Sequence, residues 1–190
     1  MSSTQPKFIV GIGGSAGALN AYIALLDALP SNTGMAFVII SHMMPTANSL
    51  LAEILRKHTK MSVVVASDAM SILADHVFVI PPNSDLTMEN YRFKVISPRT
   101  GSNKQVDLFF ISLGNEMGVR AVGIILSGYD GDGTLGCKHI KANGGKTFAQ
   151  DMSAEVYSMP LSAQAAGYVD FVLPLNKIPN MLEKLAAALL

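Results

Sequence analysis

Phe8-Ile9-Val10-Gly11-Ile12-Gly13-Gly14-Ser15-Ala16-Gly17 decides how the rest of the chain is read. Residues 8–12 form a short apolar run with no alternating polar face. Such a run fits a strand covered on both sides, as in the parallel sheets of α/β proteins. The glycines after it allow a sharp turn, and residues 18–29 then follow helical spacing until Pro30 stops them. Strand, tight turn and helix make the opening of a βαβ unit.

Working outward, the same alternation recurs. Residues 35–41 read as a second buried strand, 48–58 as a helix and 62–66 as a third strand. Residues 76–80 and 91–96 read as strands flanking a polar segment, 83–90, which predicts an antiparallel hairpin at one edge. After a loop-like stretch at 98–105, helical spacing returns over 106–117. A strand follows at 121–126, then a helix over 134–142 closed by Asn143-Gly144. Residues 146–150 and 169–173 are expected strands and 181–190 a terminal helix. The expected fold is one three-layer α/β/α domain spanning residues 1–190, with residues 1–7 flexible. Its sheet is mostly parallel and doubly wound. No internal repeat or long linker divides it.

Composition narrows the function classes. Of 190 residues 49% are hydrophobic and 15% charged, enough apolar material for a large core. Fourteen basic side chains balance fourteen acidic ones, so the chain lacks the positive footprint of a nucleic-acid binder. Cys137 is the one cysteine, which excludes an intramolecular disulfide and a thiolate metal cluster and suits a reducing cytoplasm. The N-terminal residues lack the pattern of a secretory signal, and no apolar run approaches the roughly 18 residues that span a bilayer. A cytoplasmic protein without membrane insertion is expected.

Gly13-Gly14-Ser15-Ala16-Gly17 matches G-x-S-x-G between a strand and a helix. A serine on so sharp a turn needs small neighbours, because the backbone is tightly bent and a reacting carbonyl must come close. The start of the following helix adds unpaired N–H groups and a positive dipole end. Two rivals share the stretch: a plain glycine-rich turn, and the dinucleotide pattern G-x-G-x-x-A at residues 11–16. The second wants a carboxylate near the end of the next strand to hold a ribose. Ile39-Ile40-Ser41-His42 offers an imidazole there instead.

His42 is thus a candidate general base on the rim that carries Ser15, whereas His58, His76 and His139 read as surface or structural. Leu126 to Thr134 follows another apolar strand and brings Asp130 and Asp132 to the same rim. Either could fix the imidazole tautomer, and either could cap the helix starting near Thr134. Asp130-x-Asp132-x-Thr134 is no calcium loop, because Leu135 and Lys141 stand where glycine and glutamate are needed. Gly145-Lys146-Thr147 is no phosphate loop, since it lacks the first glycine and leads into a strand.

Together these segments resemble the catalytic domain of CheB-type chemotaxis protein-glutamate methylesterases, nearly end to end. The matching stretches are residues 11–17, His42 with Leu50-Leu51-Ala52-Glu53, residues 76–82 with Asp85-Leu86, residues 106–110, residues 123–136, and Pro160 with residues 167–174. The resemblance implies hydrolysis of glutamate γ-methyl esters on the cytoplasmic helices of chemoreceptors, with deamidation of glutamine as a second activity. It implies Ser15 as nucleophile, His42 as base and Asp132, not Asp130, as triad carboxylate. Backbone N–H groups at Ala16 or Tyr129 would form the oxyanion site. It implies no cofactor and no metal, methylated receptors as partners, and a receptor methyltransferase as a further one. The family's receiver domain has no counterpart in 190 residues. Ala16, Tyr129, Asp130 and Asn103-Lys104-Gln105 depart from the family pattern. They leave a second reading, a slow or inactive CheB-like adaptor that binds receptor or methyltransferase.

Overall fold

The computed structural model describes residues 4–42, 47–101 and 103–188. In chain order its elements are β1 (Phe8–Gly14), α1 (Ala18–Ala28), β2 (Met35–Ser41), α2 (Ala47–Leu55), β3 (Ser62–Val65) and β4 (His76–Val79). There follow β5 (Asp85–Glu89), β6 (Arg92–Ile96), α3 (Gln105–Met117), β7 (Ala121–Ile125) and α4 (Thr134–Ala142). β8 (Lys146–Gln150), α5 (Ser158–Ala165), β9 (Phe171–Leu173) and α6 (Ile178–Ala188) complete the chain. Seven strands form one parallel sheet in the order β3-β4-β2-β1-β7-β8-β9. The mostly parallel, doubly wound α/β fold expected from the sequence is the fold observed.

β1, β2 and β7 are buried at every position, which is why their sequences read as unbroken apolar runs. Successive side chains nevertheless go to opposite faces. Val10, Ile12, Phe37 and Ile39 pack with Tyr22, Leu25 and Leu26 of α1, Leu51 and Leu55 of α2 and Leu182 of α6. Ile9, Val38 and Ile40 pack with Phe109 and Phe110 of α3, Cys137 and Ile140 of α4 and Met159 of α5. The free thiol of Cys137 is fully buried in that second layer.

Glycines make room for α3 against the sheet and α4. A Cβ on Gly11 of β1 would stand 2.7 Å from the Phe110 ring, and one on Gly136 of α4 would stand 2.4 Å from Phe110 Cβ. One on Gly123 of β7 would lie 2.9 Å from the same ring. On the helix itself, a Cβ on Gly114 would come within 3.2 Å of the Ile140 backbone. This close seat brings the start of α3 up to the rim where β1 and β7 end.

The antiparallel pair differs in composition from the sequence reading. β4 belongs to the parallel sheet, between β3 and β2, and the hairpin is β5 with β6. Residues 85–89 read as polar because of Asp85, Thr87 and Glu89. Leu86 and Met88 alternate with them and are buried beside Phe93 and α3. α5 escaped notice because its helical spacing is weak and Pro160 interrupts it; the proline falls in the first turn, where no intrahelical N–H is lost. Residues 4–7, expected to be flexible, are tied: Thr4 C=O accepts from Ala74 N–H, and Lys7 N–H donates to Gly34 C=O. Residues 1–3 of that stretch, Met43-Met44-Pro45 and the last two residues of the expected terminal helix lie outside the described residues. No helix among the described residues is long and apolar enough to cross a membrane.

Candidate active site

Ser15, His42 and Asp132 follow β1, β2 and β7, which are adjacent in the sheet. Their carboxyl ends form one rim, at the point where the chain switches from building leftward to building rightward, the usual place for a ligand in such sheets. Gly14 pairs with Ser41 in the register of β1 and β2, and His42 N–H donates to Gly14 C=O at 3.3 Å. Ser15 and His42 therefore leave neighbouring strands side by side, at a strand spacing of about 5 Å.

The turn around Ser15 is held from three directions. Ser15 N–H donates to Ser127 C=O at 2.9 Å, and the Ser127 hydroxyl donates to Ala16 C=O at 2.7 Å. That same hydroxyl accepts from Val156 N–H at 2.9 Å. A Cβ on Gly14 would meet the Tyr22 hydroxyl at 2.5 Å, so only glycine fits before the serine. Gly17 has φ 71°, and a side chain there would run into Ser127 and Glu155. Ser15 itself is half-buried. Ser127, fully buried, is the latch the sequence reading missed; its one available signal was a polar residue at the end of an apolar strand.

His42 carries its imidazole almost wholly buried, with the side chain 3% exposed. Nε2 lies 2.6 Å from Asp132 Oδ2. Nδ1 lies 3.4 Å from Asp130 Oδ2 and has no hydrogen-bond partner among the described residues. Burial pushes the imidazole pKa down. The hydrogen bond and charge of Asp132 and the charge of Asp130 push it up by more, while Arg99 opposes them, so it ends above the usual 6.5.

Asp132 has a fully buried carboxylate that also accepts from Val106 N–H and Asp107 N–H, both at 2.9 Å. It therefore caps α3, with Oδ1 taking Gly133 N–H as well. The cap expected for the helix near Thr134 is supplied by a different residue. Asp107, in the first turn of α3, accepts from Gly136 N–H of α4 at 2.7 Å. The start of α3 is thus closed by a carboxylate from the turn before α4, and the start of α4 by one from the first turn of α3, each at a positive dipole end. Gly133, at φ 91°, has no room for a Cβ against Ile125 and Val106.

Among the candidates for an oxyanion site, Ala16 is half-buried in the serine turn and Tyr129 is 73% exposed. The Tyr129 ring therefore stands in solvent and fills no buried pocket. Among the described residues neither backbone N–H has an acceptor. The other histidines sit away from this rim. His58 faces Asp27 at 3.1 Å, His76 Nδ1 bonds Ala74 C=O at 2.8 Å, and His139 lies in the last turn of α4.

The CheB methylesterase family profile matches residues 10–182. The chain belongs to the CheB methylesterase family. A relative from Leptospira interrogans, provisionally named protein-glutamate methylesterase/protein-glutamine glutaminase, is 34% identical over 178 residues, 92% of each chain. The protein-glutamate methylesterase/protein-glutamine glutaminase of Desulfotalea psychrophila is 33% identical over 90% of this chain, which spans 49% of that longer protein. The crystal structure of the Thermotoga maritima CheB methylesterase catalytic domain superposes with a TM-score of 0.87 at 28% identity, covering 96% of this chain and all of that one. Membership of the CheB family agrees with the resemblance carried by the sequence motifs.

Proposed function

We propose that this CheB family member, read as a single catalytic unit over residues 1–190, hydrolyses glutamate γ-methyl esters on the cytoplasmic helices of chemoreceptors, in the cytoplasm and without a cofactor. Deamidation of receptor glutamine is the companion reaction. The observation that carries the reading is the rim where Ser15 and His42 leave adjacent strands and His42 Nε2 meets Asp132 at 2.6 Å.

With Nε2 committed to Asp132, Nδ1 is the nitrogen that takes the Ser15 proton. Oγ attacks the ester carbonyl carbon, and the oxyanion is held by the N–H groups of Ala16 and Tyr129. Collapse of the tetrahedral adduct breaks the bond to methoxide, which leaves as methanol with the proton from Nδ1. Water, deprotonated by His42, then attacks the acyl-serine and releases glutamate and the free hydroxyl.

Methanol release from methylated receptor, together with labelling by a serine-reactive probe, tests this. Ser15→Ala should lose both by orders of magnitude and keep its folded spectrum. Unchanged methanol release in that variant would overturn the mechanism. A second reading, an adaptor that binds receptor or methyltransferase with little turnover, draws on Asp130 crowding the nitrogen that must serve Ser15. Receptor binding with no Ser15-dependent methanol release would favour it.

A further inference from the structure

We propose that Asp130 is a positioning residue that holds the resting His42 imidazole doubly protonated and must let go of Nδ1 before Ser15 can be deprotonated. This rests on the esterase reading above and adds a built-in restraint to it.

The geometry sets two carboxylates on opposite sides of one ring: Asp132 at 2.6 Å from Nε2 and Asp130 at 3.4 Å from Nδ1. Asp130 is aimed there by its other oxygen, which accepts Asp132 N–H at 3.1 Å. A neutral imidazole has one proton to share. If it sits on Nε2, the Nδ1 lone pair faces an anion in a nearly closed site, and the two repel. A proton on Nδ1 turns that repulsion into attraction. The buried Nδ1 has no hydrogen-bond partner among the described residues, so Asp130 at 3.4 Å acts on it through charge.

The two aspartates differ in freedom. Asp132 is fully buried and fixed by the N–H groups of Val106 and Asp107. The Asp130 side chain is 32% exposed, and the backbone bond to Asp132 is its one hydrogen bond among the described residues. It can swing out when substrate enters the rim. Arg99 is the charge that opposes both aspartates at the ring.

Two linked measurements test the restraint: an NMR titration of the His42 ring, and the pH profile of kcat/KM for methanol release. Each is made on the full chain, on Asp130→Asn and on Asp130→Gly. The His42 midpoint should fall in both variants, with the ascending limb of kcat/KM moving down alongside it. Below the wild-type limb the variants should be roughly threefold to tenfold faster. Asp130→Glu should restore the wild-type midpoint. The far-ultraviolet circular dichroism of each variant should match that of the unaltered chain, which reports that the variants are folded. An unmoved His42 midpoint in both variants overturns the proposal, as does a midpoint that moves while the limb of an active enzyme stays. A falling midpoint in a protein that releases no methanol in any form supports the restraint and overturns the esterase reading instead.

Discussion

Asp132→Asn would keep the shape of the side chain and remove its charge. His42 would lose the anion that steadies its imidazolium, and the rate of ester hydrolysis should fall by about 10⁴. Asp132→Ala goes further, because it also strips the acceptor from the N–H groups of Val106 and Asp107. Each orphaned buried donor costs about 1–3 kcal/mol, so its urea midpoint should drop where that of Ser15→Ala holds. The raised His42 pKa has two opposed consequences. In the proposed mechanism the base must be neutral, so kcat/KM should rise with pH through a limb lying above 6.5. The same shift stabilises the fold fully below 6.5, and that contribution is lost as pH climbs through the raised value. Urea unfolding across this window should therefore show stability falling as activity grows. The placement of Ser15 and His42 on one rim was legible because the ends of buried strands mark it. Spacing could not choose between Asp130 and Asp132, which leave the same strand two residues apart. What separates them is the start of a helix some 25 residues earlier in the chain.

At the scale of elements, the seat of α3 depends on what the glycines lack. Gly136→Ala would drive a methyl into Phe110 Cβ, 2.4 Å away. That atom cannot swing aside as the end of a side chain would, so α3 and α4 must part, at a cost of about 1–3 kcal/mol. Phe110→Ala leaves a void and should cost about 3–5 kcal/mol. Combining the two should cost less than their sum in denaturant titrations, since each relieves the other. Gly11 and Gly123 serve the same ring, a packing role that the sequence conceals behind the look of a binding loop. Element types were readable wherever a run was long and buried. β5 was not, because Asp85, Thr87 and Glu89 mask a two-residue alternation whose apolar face only α3 reveals.

For the whole molecule, both helical layers grip the same central strands. Phe37 belongs to one layer and Phe109 to the other, yet β1 and β2 contribute to each. Phe37→Ala and Phe109→Ala should therefore lower one shared unfolding midpoint, seen alike by fluorescence and circular dichroism. Two separate transitions would show that the layers come apart independently. Alternation of strand and helix was enough to give the architecture. The place of β4 between β3 and β2 was not readable, since strand order is settled by which faces match after the chain has doubled back.

Cys137 offers a way to watch this assembly breathe. It is the one thiol in the chain and is fully enclosed beneath α3. Burial, with Asp107 and Asp170 nearby, raises its pKa far above the ordinary thiol range. An alkylating reagent can reach sulfur only in molecules whose fourth helix has lifted. The speed of modification in the untouched native sequence therefore clocks how often the cradle beneath Asp132 springs open.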